Sequence, residues 1–423
     1  MKYIYTAVSL LLISIASAAN GTIRSELLSL GLSSGSQIGP TSEYTQRWSS
    51  YDAPSYVTAV KPATEDDVAK IIAYAIKFSI PFLSIGGGHG FSITLGTLHN
   101  GIELDLSNFD TVSVDVQSST LTIGGAVRFR DILGPLGQAH KEIPIGSESC
   151  VGMVDATLGG GSQQPGTSSQ LLQRRTRISS GAFVVLASIL EVTYSVYNET
   201  APQVLHADFL SAFNASQRIL EYFKSFESSL PAELPFILLA AYSSDFGGSS
   251  IIVNAVYAGP QAEGEKYLYT LFKFSPIQHN LTMIFWSEIN AASFFGTEPS
   301  NYTCPTDSPH NVYGGAVYQF DIDTFQEFYE NYEQLTSSMP VELNGTVYFI
   351  EFFPKQAVET VPSNATVYAW RNTTAHLLFN FAYIDTEGAL DNRINEFATA
   401  ARSNFTSVSG FPQPELYNYP ITF

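Results

Sequence analysis

An apolar stretch, Ile80 to Ile85, runs without a break into Gly86-Gly87-Gly88-His89-Gly90-Phe91. The first part has the length and character of a strand. Three glycines at a strand end let backbone N–H groups approach an anion with no Cβ in the way, and such a nest binds phosphate. The spacing is not the G-x-G-x-x-G of a dinucleotide fingerprint, and no G-x-x-x-x-G-K-[ST] occurs in the chain. Taken alone, the motif reads more plainly as a glycine turn carrying a surface histidine. A second cluster, Gly146-Ser147-Glu148-Ser149-Cys150-Val151-Gly152, continues to Thr157-Leu158-Gly159-Gly160-Gly161. Two such clusters with strands between them can line one extended anionic ligand from both sides.

The sequence around the motif has an α+β rhythm. Val57 to Val60 reads as a strand. Thr64 with Asp67 three residues on forms a capping box, and Val68, Ile71, Ile72, Ala75 and Ile76 follow at helical spacing. Strands at Ile102 to Leu106 and Leu121 to Ile123, and a helix near Phe129 to Leu136, complete a first unit placed at residues 50–197. From about Val204 the character changes. Aromatic-rich strands (Phe236 to Tyr242, Ile251 to Tyr257, Val312 to Phe320, Val347 to Phe352, Leu377 to Ile384) alternate with helices at Gln261 to Phe272, Thr324 to Leu335 and Leu390 to Ala401. This predicts a second α+β unit over 198–410, an antiparallel sheet covered by helices, with 411–423 opening a closing segment.

Composition limits the function. The chain has 423 residues, 20 Lys plus Arg against 39 Asp plus Glu, and a formal charge of −19. Such a field repels phosphate backbones and anionic lipid, so no nucleic-acid or membrane partner is expected. Residues 1–18 have the layout of a secretory signal: Lys2, an apolar run from Ile4 to Ile15, then small residues to Ala18. Asn-x-Ser/Thr sequons stand at Asn20, Asn198, Asn214, Asn280, Asn301, Asn344, Asn364, Asn372 and Asn404, which behind a signal suggests a secreted glycoprotein. The two cysteines, Cys150 and Cys304, allow one disulfide.

The run from Tyr51 to Gly161 resembles the FAD-binding domain of secreted flavoprotein oxidases of the vanillyl-alcohol-oxidase type, in the fungal berberine-bridge-enzyme-like branch. The resemblance rests on Pro81 to Gly90, Leu104-Asp105-Leu106-Ser107, Gly124-Gly125-Ala126-Val127 and Ala156 to Gly161. It implies FAD joined covalently through the imidazole of His89, which requires a neutral, nucleophilic ring and raises the flavin's redox potential. Gly86, Gly87, Gly88, Gly90 and Phe91 would cradle the cofactor on one side. Gly146, Ser147, Val151, Gly152, Thr157, Gly159, Gly160 and Gly161 would line it from the other. The implied reaction is hydride transfer from an alcohol, sugar or secondary metabolite, with dioxygen as acceptor, in a monomer. Tyr419, in a segment resembling the family's closing Tyr-x-Asn-Tyr, is the implied general base.

Three departures from the family pattern matter. Aligned on Val151-Gly152, Glu148 stands where bicovalent members carry a flavin-linked cysteine, which implies a single link. Cys150 is then a small buried residue or the partner of Cys304. Asp155 replaces a small residue, and a carboxylate near the ring would disfavour an anionic reduced flavin. Residues Ser162 to Ile189 replace the expected glycine-rich turn and strand pair with Gln-, Ser- and Arg-rich sequence, as a variable loop or a shifted frame that removed several dozen residues would. Four residues after Tyr419 the chain stops, which reads as truncation of the closing segment.

Other motifs carry less. Gly31 to Gly35 spells G-x-S-x-G with no strand before it. No Cys/His quartet suggests a metal. His99, His140, His206, His279, His310 and His376 are scattered singly and read as surface or capping residues. Tyr313, Tyr318, Phe320, Phe349 and Phe352 are candidate pocket walls, with core packing expected for about half of them. The rival reading is a non-catalytic glycoprotein, a relic of the flavin fold.

Overall fold

The computed structural model describes residues 22–158, 189–243, 248–297, 304–306, 308–362, 371–383, 385 and 388–411. Gly159, Gly160, Gly161, Tyr419, the expected signal at residues 1–18 and residues 162–188 lie outside them.

The capping box closes as its sequence requires. The Asp67 backbone N–H donates to Thr64 Oγ1 at 3.2 Å, and the Thr64 N–H donates to the Asp67 carboxylate at 3.1 Å. The helix that follows, α1 (Glu65–Lys77), packs Val68, Ile71 and Ala75 against Ile102 and Leu104. Those two belong to a four-stranded sheet of β1 (Gln37–Gly39), β2 (Tyr56–Lys61), β3 (Phe82–Ile85) and β4 (Gly101–Asp105), in the order β1-β2-β4-β3. The last three strands run parallel and β1 pairs antiparallel to β2. The first body thus begins well ahead of residue 50: Leu27 and Trp48 are buried in it.

Five strands follow: β5 (Val112–Asp115), β6 (Thr120–Gly124), β7 (Lys141–Glu142), β8 (Glu191–Ser195) and β9 (Tyr197–Asn198). They form an antiparallel sheet β5-β6-β8 and a two-stranded β7-β9. Helix α2 (Phe129–Gln138) buries Phe129, Ile132, Leu133 and Leu136 beneath them, and the short α3 (Met153–Leu158) follows the second glycine cluster.

The rest is built on a seven-stranded antiparallel sheet. Its strands are β10 (Gln203–Ala212), β11 (Phe236–Ser243), β12 (Gly248–Tyr257), β13 (Gln278–Phe285), β14 (His310–Val317), β15 (Val347–Phe352) and β16 (Ala375–Ala382). Their order is β13-β10-β12-β11-β15-β16-β14. Helices α4 (Ser216–Lys224), α5 (Gln261–Phe272), α6 (Ile289–Gly296), α7 (Ile322–Ser338) and α8 (Ala389–Val408) accompany it. One sheet face is aromatic core: Phe209, Phe236, Tyr348, Phe352 and Phe379 pack against Phe223 of α4, Tyr329 of α7 and Phe405 of α8. By the period-2 alternation of strands, the opposite face carries His206, Asp208, Leu210, Leu239, Phe349, Glu351, His376, Leu378 and Asn380. That face meets the first body.

Several expectations need correction. Of the proposed pocket aromatics, Phe320 and Phe352 lie in the helix-covered core, Tyr313 packs against that core, and Tyr318 is exposed. Only Phe349 faces the other side, because Tyr313, Phe352 and their neighbours occupy the opposite parity of their strands. His206, His310 and His376 are not surface residues: all three are buried on the face toward the first body. Each sits in a strand at an inward position, which an isolated histidine in sequence does not reveal. His99, His140 and His279 are exposed.

At the β10 end the buried Asp208 carboxylate organises a kink. It accepts from Asn254 Nδ2 at 2.8 Å and from the backbone N–H groups of Phe294 and Phe295 at 3.1 and 2.7 Å. Those two phenylalanines interrupt α6 in the left-handed region, at φ 54° and 61°, which costs roughly 1–2 kcal/mol each for a residue with a side chain. Asp208→Ala would leave both amides unpaired in a dry site. It is expected to cost about 3 kcal/mol, read as a fall of several degrees in thermal midpoint, with Asp208→Asn intermediate.

Burial pushes His310 and His376 down to about 4. In the unfolded chain a histidine titrates near 6.5, so below that pH the unfolded state binds more protons and stability falls as pH drops. The thermal midpoint is expected to decline from about pH 6.5 toward 4, by up to about 1.4 kcal/mol per unit per histidine. His310→Gln should flatten that slope.

Candidate active site

The end of β3 fixes the first cluster. Gly88 adopts φ +78°, a left-handed conformation that favours glycine. A Cβ on Gly87 would lie 2.5 Å from the backbone N of Gly152, and one on Gly86 would lie 2.5 Å from the carbonyl O of Gly125. The two glycine clusters therefore meet, main chain on main chain. The second is zipped onto the segment ahead of α2: Arg128 bridges Gly152 antiparallel, and Phe129 N–H donates to Val151 O at 3.2 Å. Gly146 is pressed on the Phe129 ring, which a Cβ would meet at 2.5 Å.

The seven-stranded sheet holds the same cluster from the far side. Asn290 Nδ2 donates to the carbonyls of Gly146 and Ser147 at 3.2 and 2.9 Å, and Ser147 Oγ donates to Glu351 Oε1 at 3.3 Å. Cys150 is joined to Cys304 by a disulfide across 154 residues of sequence, with Cα atoms 5.8 Å apart. Of the two roles open to Cys150, partner of Cys304 is the one it takes. No flavin link remains for its sulfur.

His89 emerges from the glycine loop half-buried. Its imidazole has no hydrogen-bond partner among the described residues, and it stacks on Trp48 with centroids 5.2 Å apart and planes at 14°. Phe91 meets the same indole edge-on at 5.7 Å. On Trp48 also lies His310, 3.9 Å away and parallel within 4°. Burial, with Arg128, His310 and Arg130 adding, pushes His89 down to about 3. The ring is neutral throughout the neutral range. The surface-histidine reading of the motif does not hold.

Sequence reasoning missed four neighbours: Trp48, Arg128, Arg130 and His310. Arg128 is half-buried beside the bridge to Gly152 and forms no ion pair among the described residues. Its signal was a pair of arginines flanking Phe129 directly after Gly124-Gly125. Behind the loop, Arg47 Nη2 donates to the Gly90 carbonyl. Near it, burial, with Asp105 adding, pushes the Glu103 carboxyl up to about 8. Asp155 is accessible, yet the protein mass around it raises its pKa by desolvation. It is thus more easily kept neutral than its type suggests, which eases the conflict its charge would create. Thr157 accepts from the Tyr194 hydroxyl at 3.3 Å.

A glycine cradle that added Cβ atoms would fill, the neighbouring guanidinium groups of Arg128 and Arg130, and a neutral imidazole form a site suited to a dianionic pyrophosphate and an adjoining ring. FAD fits it. Residues 57–177 match the FAD binding domain family. The FAD-linked oxidoreductase azaL of Aspergillus niger is 35% identical over 445 aligned positions, covering 97% of this chain and 93% of that protein. The FAD-linked oxidoreductase tazG of Aspergillus terreus is 32% identical, covering 88% and 81%. Among solved structures, BBE-like 1 of Physcomitrella patens superposes with a TM-score of 0.73 at 15% identity, covering 91% of this chain and 89% of that one. The glucooligosaccharide oxidase of Acremonium strictum does so at 0.69 and 16%, covering 86% and 84%; at such identities these two speak for the fold alone. The chain is an FAD-dependent enzyme that belongs to the FAD-linked oxidoreductases, on the α+β fold of the vanillyl-alcohol-oxidase type in its berberine-bridge-enzyme-like form.

Proposed function

We propose that the chain is a secreted oxidase whose FAD is tethered once, through His89, and that passes electrons from its substrate to dioxygen. The observation that carries this reading is the neutral, unpaired imidazole of His89 rising from a backbone-only cradle. FAD bound there supplies hydride acceptance at its ring. Gly86, Gly87, Gly88, Gly90 and Phe91 on one side, and Gly146, Ser147, Val151, Gly152 and Thr157 on the other, hold it; the resemblance adds Gly159, Gly160 and Gly161, which lie outside the described residues. Arg128 and Arg130 contribute positive charge toward the pyrophosphate. The single link is supported by the disulfide that occupies Cys150. A relative of the fold, the Acremonium strictum oxidase, is described as carrying 6-S-cysteinyl, 8α-N1-histidyl FAD; this chain keeps the histidine half of that pattern.

The substrate binds between the flavin body and the face of the large sheet turned toward it. Around Glu351 that face is apolar, with Leu210, Ile237, Leu239, Ile252, Phe349 and Leu378, which favours an aromatic or aliphatic alcohol, as in a secondary metabolite, over a sugar. Tyr419 is the proposed proton acceptor for the substrate hydroxyl; a tyrosinate serves once its pKa is lowered. Secretion is supported by the disulfide, which persists in oxidising compartments, and by exposed sequon asparagines Asn198, Asn214, Asn344, Asn372 and Asn404.

Denaturing the secreted protein in acid separates tethered from free flavin. Wild type is expected to keep flavin absorbance in the pellet, and His89→Ala to lose it to the supernatant. The Cys150→Ser/Cys304→Ser double variant should keep the tether while losing up to about 5 kcal/mol of stability, by the chain-entropy cost of so long a loop. A colourless wild-type pellet would sink the tether. Oxygen consumption with aryl alcohols against oligosaccharides tests the substrate class, with faster turnover expected for the former.

A further inference from the structure

Three rings from three distant parts of the chain form one stack: His310 on β14, Trp48 ahead of β2, and His89 on the glycine loop. Trp48 is fixed at its backbone, where its N–H donates to the Gly88 carbonyl at 2.8 Å, one residue from His89. His310 is fixed at both ends. Its backbone N–H and C=O bond to Ser49 Oγ at 3.3 and 2.9 Å, and its Nδ1 meets Asn380 Oδ1 at 3.0 Å. With the amide oxygen accepting, Nδ1 carries a proton, and burial favours the neutral ring. Trp48 and His310 are both more than nine-tenths buried, and among the described residues Trp48 Nε1 and His310 Nε2 have no hydrogen-bond partner. An indole and an imidazole buried with those atoms unsatisfied lose hydrogen-bonding energy. What they retain is the parallel stack itself.

We infer that Trp48, braced by His310, is a positioning residue that sets the plane of the His89 imidazole for attachment of the flavin. The inference rests on the reading of His89 as the attachment site. No hydrogen bond orients His89 among the described residues, so ring stacking on Trp48 is the contact that does. Because His310 belongs to the large sheet, the stack is complete only when that sheet has docked. The imidazole is therefore held for reaction in the assembled protein and not in the flavin body by itself. Attachment exchanges one C–H of the flavin 8α-methyl group and the imidazole N–H for a C–N bond. The electron pair and both protons reduce the ring, and dioxygen removes them as hydrogen peroxide.

The test compares full-length wild type with Trp48→Leu, Trp48→Phe, His310→Gln and His89→Ala, each prepared without flavin and then given FAD in air. Total bound flavin, the acid-stable fraction and the rate at which that fraction appears are measured. Trp48→Leu is expected to bind FAD yet attach it at least tenfold more slowly. Trp48→Phe, which keeps a ring face, should restore most of the rate, and His310→Gln should be intermediate. Rescue by phenylalanine is not expected of a merely space-filling role. Attachment by Trp48→Leu at the wild-type rate overturns the inference. If Trp48→Leu fails to fold, wild-type rates in both Trp48→Phe and His310→Gln overturn it, and a slowed His310→Gln supports it. A tether that survives His89→Ala instead removes the attachment reading itself, whatever the Trp48 variants do.

Discussion

The contact between Gly87 and Gly152 is the constraint on which the site depends. Added Cβ atoms would bring Gly87 to 2.5 Å from Gly152 N, and Gly152 to 3.0 Å from Gly87 N. Ordinary packing puts side chains between main chains; here the loop after β3 and the loop ahead of α3 touch directly. The result is a wall of peptide groups, from which His89 is the side chain that stands out. A cofactor with a charged middle and a flat end needs such a surface: close amides for the phosphates and one reactive ring at the edge.

Charge works the same way. The chain carries a formal −19, yet Arg47, Arg128 and Arg130 gather around the loop. Cations confined to one concave region of an acidic protein focus potential there and direct an anionic ligand to that place. Burial, together with Arg128, His310 and Arg130, keeps His89 unprotonated. At the proposed site one local field thus serves both needs, drawing in a pyrophosphate and leaving the imidazole a lone pair with which to react.

Much of this was legible in the sequence, where local chemistry dictates local form. The capping box at Thr64 and the strand end at Gly86 were readable because both are set by residues within a few positions. Val347–Phe352 and Gln261–Phe272 were found to the residue. β10 and β13 were missed because buried His206 and Asp208 break one apolar run and Gln278, His279 and Asn280 make the other look like a loop. β1 was missed because three residues leave no period to detect. The partners of His89 were beyond reach for a different reason. Trp48 and His310 are separated from it by 41 and 221 positions, as the numbering gives, and no spacing rule relates residues brought together only by the docking of two sheets.

That docking has a consequence for the cofactor site. Three ties to the second body fall within five residues of the second glycine cluster: Asn290 of α6 on Gly146 and Ser147, Glu351 of β15 on Ser147, and Cys304, ahead of β14, on Cys150. The cluster's other support, the bridge at Arg128 and Gly152, comes from its own body. Gly146 to Cys150 is therefore clamped between two halves of the protein. A flavin body lacking the large sheet would keep the Gly87–Gly152 contact but lose the clamp on Gly146, Ser147 and Cys150, together with the ring that backs Trp48. The fold's division into two halves is blurred in the core, where Val204, Val256, Trp286 and Ile289 share a cluster with α2, and at the proposed site, where each half supplies part of what would hold the cofactor.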